Sequence, residues 1–417
     1  MTPAHASPAE QTFWFTEQLL PGSLSTVALL HLRIDGPADP AALAAAWQAV
    51  RIRHEALRTA FVSDGGELWR RPAAQPLPVP VQVLPAGTGR EDAVRLLCAE
   101  PYDLEAADVL RLGLVPDAAD APYDGGELYA AVHHTAYDGL SEVALGADLA
   151  EAYRQALAGQ QPHLTPAARS AVQPLDGTRR QELCAYWERA LAGVPALPEQ
   201  QPAQTHREIL EDRLAVHPLT LPPGSGTRLR QVARRSAVPP FALLLTAVGR
   251  AVAELTGAAD FLVGVPFSTR TPDQQDEVGC ELTMLPVRLQ EPTAADGPDR
   301  AMDALLDAMY HADLPVFDIL ACGTPDDTGR MQPYQVIAAY QSWPRDPLQA
   351  GPATLRARPS SPCGPQGELL VEFYDEGPED LTAALYVPAH GGWLPRAPEL
   401  AAALDRHLTA LTPMETS

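Results

Sequence analysis

Apolar residues in this 417-residue chain recur with two spacings, and both spacings occur in each half of the sequence. In the first half, the strand-like run Val27 to Ile34 is followed by a helical stripe from Leu43 to Val50. Asp39 and Pro40 supply the N-cap and first turn of that predicted helix. Strands and helices mixed in this way predict an α/β or α+β fold and exclude an all-helical or all-β domain.

A strand, a turn and a helix are predicted around a pair of adjacent histidines. The apolar run Leu128 to His133 predicts a strand, and Asp124-Gly125-Gly126 before it predicts a loop. A helical stripe begins after Gly139, where Ser141 is placed to cap the helix. The segment from His133 to Gly139 is therefore predicted to be a strand-to-helix turn.

The length of the chain and one linker-like segment predict two lobes. A chain of 417 residues, 46% of them apolar, holds more than one folding unit usually does. Pro195 to Thr205 is rich in Gln and Pro and poor in apolar residues, as exposed linkers are. The predicted organisation is an N-terminal lobe over 1–175, a crossover over 176–205 and a C-terminal lobe over 206–417.

The charge balance limits the partners of the chain. Thirty Lys and Arg against 53 Asp and Glu give a formal charge of -23, which repels phosphate backbones and anionic lipid. Nucleic acid and membrane surfaces are therefore not expected partners. The sequence contains no signal-peptide pattern and no apolar run of membrane-spanning length, so we expect a cytoplasmic protein. Its five cysteines are scattered, and we expect reduced, structural thiols.

The residues His133 to Gly139 carry the most chemistry in the sequence. Acyl transfer needs a group that accepts a proton near neutral pH, which suits imidazole. Backbone amides at a Gly-containing turn that opens a helix can stabilise an oxyanion. Two alternatives stay open from these residues alone. One is a pair of core histidines before an ordinary turn, and the other is a metal site, disfavoured because adjacent strand residues face opposite ways.

Several segments match one family. His133 to Gly139 fits the pattern HHxxxDG, and Arg53 to Phe61 fits RHExLRTxF. Further matching segments are Ser7–Gln11, Pro101–Leu104, Gly264–Pro266 with Arg270, Val278–Arg288, His311–Asp318 and Tyr334–Tyr340. In these motifs the chain resembles the condensation domains of nonribosomal peptide synthetases over nearly its whole length.

The resemblance implies a fold and a reaction. The fold would be a pseudodimer of two chloramphenicol-acetyltransferase-like lobes in a V, with the active site in a tunnel between them. The reaction would transfer an acyl or aminoacyl group from a carrier-protein thioester to an amine or hydroxyl in natural-product biosynthesis, such as that of antibiotics. We expect no bound cofactor, since 4'-phosphopantetheine arms of peptidyl or acyl carrier proteins would deliver the substrates. Because carrier, nucleotide-loop and GxSxG motifs are absent from the sequence, a free-standing enzyme with carriers in trans is expected.

The resemblance also implies roles for individual residues. His134 would be the catalytic histidine and His133 mainly a structural partner. Gly139 would offer a backbone amide near the oxyanion. Arg58 would line or brace the site rather than react.

Asp138 carries over as a structural acid. Its expected partner is an arginine of the fifth motif, with Arg270 the first choice and Arg288 the second. The same motif departs from the family pattern at Glu281, where an aromatic residue is usual, and at Thr283-Met284, where an Asn-Thr pair is usual. These departures put the usual substrates in doubt more than the reaction class.

Two other functions remain open at this point. One is a related acyltransferase that uses coenzyme A thioesters or a soluble alcohol acceptor. The other is a recruitment domain that kept the fold and lost catalysis, against which the intact HHxxxDG pattern argues.

Overall fold

The computed structural model describes residues 4–120, 122–167, 169, 175–323, 329–330, 333–359, 361–377 and 381–413. The chain divides into two compact units, each built from three segments. Unit 1 comprises Met1–Gln173, Arg270–Glu281 and Trp343–Cys363. Unit 2 comprises Pro174–Thr269, Leu282–Ser342 and Gly364–Ser417.

This division departs from the predicted lobes in two places. The segments 270–281 and 343–363 were expected in the C-terminal lobe, and they belong to unit 1. The physical reason is strand pairing and charge pairing: a strand of the second segment hydrogen-bonds to Val27–Pro37, and Arg270 binds Asp138. Within the predicted crossover, a helix occupies Gly177–Leu191. The segment Pro162 to Gly177 contains Pro, Ser, Thr and Gly, which predicts the start of a crossover, and its residues 168 and 170–174 lie outside the described residues.

Helices and strands are mixed in both units. The helices are α1 (Pro8–Leu19), α2 (Pro40–Arg53), α3 (Arg90–Leu97), α4 (Ser141–Leu157), α5 (Gly177–Leu191), α6 (His206–Glu211), α7 (Ser225–Ser236), α8 (Pro240–Thr256), α9 (Gly297–Tyr310), α10 (Val316–Ala321) and α11 (Ala397–Leu411). The strands are β1 (Ala4–His5), β2 (Val27–Pro37), β3 (Thr59–Asp64), β4 (Glu67–Pro72), β5 (Val81–Val83), β6 (Leu110–Pro116), β7 (Asp124–His133), β8 (Leu214–Leu219), β9 (Asp260–Ser268), β10 (Leu282–Gln290), β11 (Val336–Gln341), β12 (Leu348–Ala350), β13 (Ala353–Ala357), β14 (Leu369–Asp375) and β15 (Leu381–Pro388).

The main sheet of unit 1 has the strand order β12-β13-β2-β7-β6-β5. Its pairs are antiparallel except for β5 with β6. Helix α4 packs against α2 and against the edge strand β12, and the apolar faces of these elements join one buried cluster with β2, β6 and β7. A smaller sheet, β1-β4-β3, completes the unit. The predicted loop at Asp124-Gly125-Gly126 is wrong, because these residues begin β7 and pair with the end of β2.

The sheet of unit 2 has the order β10-β9-β11-β14-β15-β8. It is mixed, because β11 runs parallel to both β9 and β14 while the other pairs are antiparallel. Helix α8 is the most apolar helix and packs against α9, α11 and β11. The sequence from Gly224 to Glu254 predicts two helices split at Pro239-Pro240. This break is confirmed, because α7 ends at Ser236 and α8 begins at Pro240. A proline at the first helical position loses no hydrogen bond there, which explains the start of α8.

Within the described ranges, no single helix is both long and apolar enough to cross a membrane. Helices α7 and α8 taken together have the length and apolar composition of a membrane span, but the chain bends by 105° between them.

Candidate active site

The paired histidines lie at the junction of β7 and α4. Strand β7 ends at His133, a short 3-10 turn spans His134–Ala136, and α4 begins at Ser141. This is the strand-to-helix turn that the sequence predicts. Most of the turn is buried, but His134 and Gly139 remain partly exposed. A buried turn with two accessible positions can present one imidazole and one backbone amide to a ligand.

The hydrogen bond of His134 fixes its tautomer. Its Nδ1 lies 3.1 Å from the carbonyl oxygen of Tyr137. A carbonyl only accepts hydrogen bonds, so Nδ1 carries the proton, and in the neutral ring Nε2 keeps its lone pair. An imidazole in this state can accept a proton at Nε2.

The surroundings of His134 favour its neutral form. Burial, helped by the neighbouring His133, lowers the pKa of His134 to about 4, although the Tyr137 carbonyl and Asp138 act in the opposite direction. The imidazole is therefore neutral at pH 7. It is ready to accept a proton, but it binds that proton weakly.

His133 has the opposite tautomer and different partners. The backbone N–H of Thr135 donates to its Nδ1 at 3.2 Å, which leaves the ring proton on Nε2. That nitrogen faces Oε2 of the buried Glu17 at 3.4 Å. Burial lowers the pKa of His133, and Glu17 offsets only part of that effect. The ring of His133 is fully buried between these contacts, and its expected role as mainly a structural partner stays a prediction.

Asp138 and Arg270 form a buried ion pair within unit 1. Arg270 Nη1 donates to Asp138 Oδ2 at 2.5 Å, and the two side chains are 1% and 4% exposed. The other oxygen, Oδ1, accepts from the backbone N–H of Ser141 at 3.0 Å. Arg270 is the first of the two expected partners. Arg288 lies in unit 2, where it pairs with Asp260 at 2.6 Å.

The prediction that Ser141 caps α4 is wrong. Leu140 occupies the N-cap position, and Ser141 is the first residue of the helix. The hydroxyl of Ser141 lies 2.9 Å from Asp138 Oδ1 and 3.0 Å from the carbonyl oxygen of Gly279. Asp138 takes the place of a capping acceptor because its carboxylate binds the first free N–H of the helix.

Gly139 has no space for a side chain. A Cβ built at this position would lie 2.6 Å from Cη2 of Trp343. The segment that carries Trp343 is held to α4 by a second buried ion pair, in which Arg345 Nε donates to Glu142 Oε1 at 2.9 Å. Burial raises the pKa of Glu142, and Arg345 opposes that rise. Gly139 is therefore required by close packing, and its expected role at an oxyanion stays a prediction.

Arg58 and the residues before it hydrogen-bond to neighbouring segments of unit 1, and the expected role of Arg58 in lining or bracing the site stays a prediction. The Nη1 of Arg58 donates to the carbonyl oxygen of Ala73 at 2.5 Å, and Nε donates to that of Ile52 at 3.3 Å. In the same motif, Arg53 Nε and His54 Nε2 both contact Asp148 Oδ2 of α4, at 2.6 and 2.7 Å. The 3-10 turn formed by residues 55–58 packs beside the turn of His134. The motif thus ties α2 to α4, the helix that follows the histidines.

Glu281, one of the departures from the family pattern, is part of a buried charge cluster. Its carboxylate accepts from Arg169 Nη2 at 3.2 Å, and Arg169 Nη1 donates to Glu10 at 2.7 Å. The backbone N–H of Glu281 donates to Asp138 Oδ2 at 3.0 Å. The other departure, Thr283-Met284, lies on β10 in unit 2.

Three residues next to the turn were missed from the sequence: Phe13 and Glu17 on α1, and Trp343 beyond β11. Phe13 stacks on the ring of His134 with centroids 4.5 Å apart and planes 14° apart. The available signal for Phe13 and Glu17 was a helical face that carries both acidic and aromatic residues. No local pattern marks Trp343, because its contact with Gly139 spans about half of the chain.

A family model described as the condensation domain matches residues 2–358. The chain belongs to the condensation domain family. The resemblance found in the sequence is thereby confirmed. In the relatives named next, the condensation domain is one part of a much longer protein. The complete activities of those proteins are therefore not assigned to this chain.

Two curated relatives illustrate the relationship. Phosphinothricin tripeptide synthetase PhsC of Streptomyces viridochromogenes is 30% identical over 333 residues, which are 75% of this chain and 30% of that protein. Isonitrile lipopeptide synthase of Mycobacterium tuberculosis is 28% identical over 408 residues, which are 89% of this chain and 16% of that protein. The chain therefore spans less than a third of the length of either relative.

Solved structures of condensation domains share the fold. The condensation domain of the monacolin K polyketide synthase MokA superposes with a TM-score of 0.75 at 20% identity, covering 99% of this chain and 98% of that one. The X-domain from teicoplanin biosynthesis gives 0.77 at 24% identity, covering 99% and 96%. The predicted fold class, mixed α/β of the chloramphenicol-acetyltransferase type, is confirmed.

Proposed function

We propose that this condensation domain transfers an acyl or aminoacyl group from a carrier-protein thioester to an amine or hydroxyl, forming an amide or an ester. The observation that carries the proposal is the state of His134. Its ring is neutral, its Nδ1 is committed to the Tyr137 carbonyl, and its Nε2 is left as a proton acceptor. The thioester would arrive on the 4'-phosphopantetheine arm of a peptidyl or acyl carrier protein in trans, with no other cofactor.

During the reaction His134 takes up one proton and returns it. The acceptor nitrogen or oxygen attacks the thioester carbonyl, and the tetrahedral intermediate carries an oxyanion near Gly139. Nε2 of His134 takes the proton of the attacking atom. The carbon–sulfur bond then breaks, the carbonyl re-forms, and the imidazolium returns the proton to the leaving sulfur as a thiol.

The low pKa of His134 determines at which step of the reaction it can accept a proton. An amine acceptor has an ammonium pKa near 8, so moving that proton to an imidazole of pKa about 4 costs about 5 kcal/mol. His134 therefore does not deprotonate the ammonium in advance. An amine must enter as the free base, about a tenth of the molecules at pH 7, and it gives up its proton only after attack has begun.

Amine and hydroxyl acceptors should depend on His134 to different degrees. A free amine is already nucleophilic, so positioning alone supplies much of its rate. A hydroxyl is far less acidic and needs the base during attack. The expected result is a much larger rate loss in His134→Ala with an alcohol than with a matched amine. Comparable losses with both acceptors would refute this part of the mechanism.

The test of the function is intact-mass analysis of an acyl-loaded carrier protein incubated with panels of amines and alcohols. We expect acceptor-dependent loss of the acyl group, matched by a new amide or ester, with the wild type and with the exposed-site control His163→Ala. His134→Ala should leave the carrier loaded with alcohol acceptors. A carrier that stays loaded with every protein and every acceptor would contradict the proposal.

Two other functions have specific support and are decided by the same assay. A double mutant of the starter condensation domain of rhizomide synthetase has been solved in complex with C8-CoA, which favours a coenzyme A donor as the second candidate. Consumption of acyl coenzyme A while the carrier stays loaded would select it. The teicoplanin X-domain has been solved in complex with OxyB, so a domain of this fold can bind another protein. Turnover of neither donor would favour recruitment.

A further inference from the structure

Helix α1 places acidic side chains on its buried face. Glu10, Phe13, Trp14 and Glu17 follow the spacing i, i+3, i+4, i+7 and so share one face of the helix. The two glutamates at the ends of this face are buried, while Phe15 and Leu19 on other faces are exposed. Buried acids are unusual unless each is paired, so this face is built for specific contacts rather than for simple apolar packing.

Both glutamates are satisfied, which fixes the helix in place. Glu10 accepts from the backbone N–H of Ser7 at 2.6 Å and from Arg169 Nη1 at 2.7 Å. Glu17 accepts from the backbone N–H of Gly22 at 2.8 Å and from the Thr26 hydroxyl at 3.0 Å. Charge-assisted bonds at both ends hold α1 against translation and rotation.

Helix α1 also touches both histidines of the turn. Phe13 lies flat on the ring of His134, with centroids 4.5 Å apart. One helical turn later, Glu17 Oε2 lies 3.4 Å from Nε2 of His133. The same helical face therefore contacts both adjacent rings.

The anchor at Glu10 also connects to Asp138. Arg169 joins Glu10 to Glu281, and the backbone N–H of Glu281 donates to Asp138 at 3.0 Å. The turn is thus held from two sides by one continuous set of contacts. A displacement of α1 would disturb the position of His134 through Phe13 and that of Asp138 through Arg169.

We propose that Phe13 is a positioning residue that holds the imidazole plane of His134, so that Nδ1 stays on the Tyr137 carbonyl and Nε2 faces the reacting atoms. The torsion χ2 of histidine has a broad, two-fold profile, so a hydrogen bond to one carbonyl restrains the ring only weakly. A stacked benzene ring blocks the perpendicular orientation through which the imidazole must pass to turn over. The role in catalysis rests on the proposed function, but the effect on the ring does not.

The proposal is tested by nitrogen-15 NMR of the imidazole rings in the full chain, without donor or acceptor. Wild type should show His134 as a single tautomer with the proton on Nδ1. Phe13→Leu should show a mixture of both tautomers. Phe13→Tyr, which keeps the aromatic face, and Phe15→Leu, a matched change at an exposed position of the same helix, should both retain the single tautomer.

Kinetics supply the second measurement. In Phe13→Leu we expect kcat to fall by about 10- to 100-fold with little change in KM, because misplacing a reacting group slows the chemical step rather than binding. Phe13→Tyr should recover most of the rate. If Phe13→Leu loses the wild-type circular dichroism, Phe13→Met replaces it in both measurements.

A single Nδ1–H tautomer in Phe13→Leu, together with a kcat within twofold of wild type, would overturn the proposal. The two hypotheses fail separately. If wild type transfers no acyl group, the proposed function fails, whereas the tautomer ratio still decides whether Phe13 fixes the ring.

Discussion

Replacing Arg270 with methionine should cost much more stability than the same change at Arg288. In Arg270→Met, Asp138 loses a donor at 2.5 Å in a site where both side chains are almost fully buried. The carboxylate keeps its bonds from the backbone N–H groups of Ser141 and Glu281, which are at 3.0 Å. Breaking one side of a buried ion pair costs about 3–5 kcal/mol, because the remaining charge is left uncompensated. We expect a loss in this range.

Arg288→Met is the matched control, since it removes another arginine–aspartate pair from the same chain. Arg288 and Asp260 are 26% and 28% exposed, so water compensates for the lost partner. The expected loss is about 1 kcal/mol or less. Urea unfolding at pH 7, followed by circular dichroism, gives both losses. Hydrogen exchange of peptides covering residues 133–141 and 282–290 assigns each transition to its unit.

A double variant measures the interaction energy between Asp138 and Arg270. Asp138→Asn combined with Arg270→Met removes both charges, so it should be more stable than the sum of the single losses predicts, by about 0.5–3 kcal/mol. Equal losses of stability for Arg270→Met and Arg288→Met, or strict additivity in the double variant, would contradict this prediction. Either result would mean that Asp138 does not depend on Arg270 for its charge.

Three further predictions follow from single contacts. Gly139→Ala should destabilise unit 1 by about 1–3 kcal/mol, because the new Cβ overlaps Trp343, and Trp343→Leu should restore most of that loss in a thermal melt. Although burial would raise it, the hydrogen bond from His54 lowers the pKa of Asp148. The stability gap between wild type and Asp148→Asn in urea titrations should therefore be full at pH 7 and shrink as the pH falls below the ordinary aspartate value of about 3.9; a pH-independent gap would contradict this. With an alcohol acceptor the transfer rate should stay level from pH 7 down to about 5, because His134 remains neutral until the pH nears about 4, whereas a loss of rate centred near pH 6.5 would show an ordinary imidazole.

Local sequence patterns predicted the elements that build the turn. An apolar run before two histidines marked the end of β7, and a helical stripe after Gly139 marked α4. These signals act over a few residues, through backbone geometry and burial, so a sequence contains them directly. The ion-pair partner of Asp138 came from the family resemblance, and the structure has the first of its two candidates.

Contacts between distant segments were not predictable in the same way. Nothing near Trp343 indicates that its ring covers Gly139, and the strand order places β13 beside β2 although about 300 residues separate them. Glu10 and Glu17 resemble solvent-facing acids until their partners are known. Buried charge is stabilised by its partners rather than by its own residue type, so only the three-dimensional arrangement reveals it.

In the proposed mechanism, His134 accepts the proton of the attacking group through Nε2. The most direct test is the single-turnover rate of acyl transfer from a loaded carrier to an alcohol acceptor, for wild type and for His134→Ala. We expect a rate at least about 100-fold lower in the variant, because a general base is lost while the fold and the thioester stay intact. An unchanged rate in a folded His134→Ala protein would contradict it.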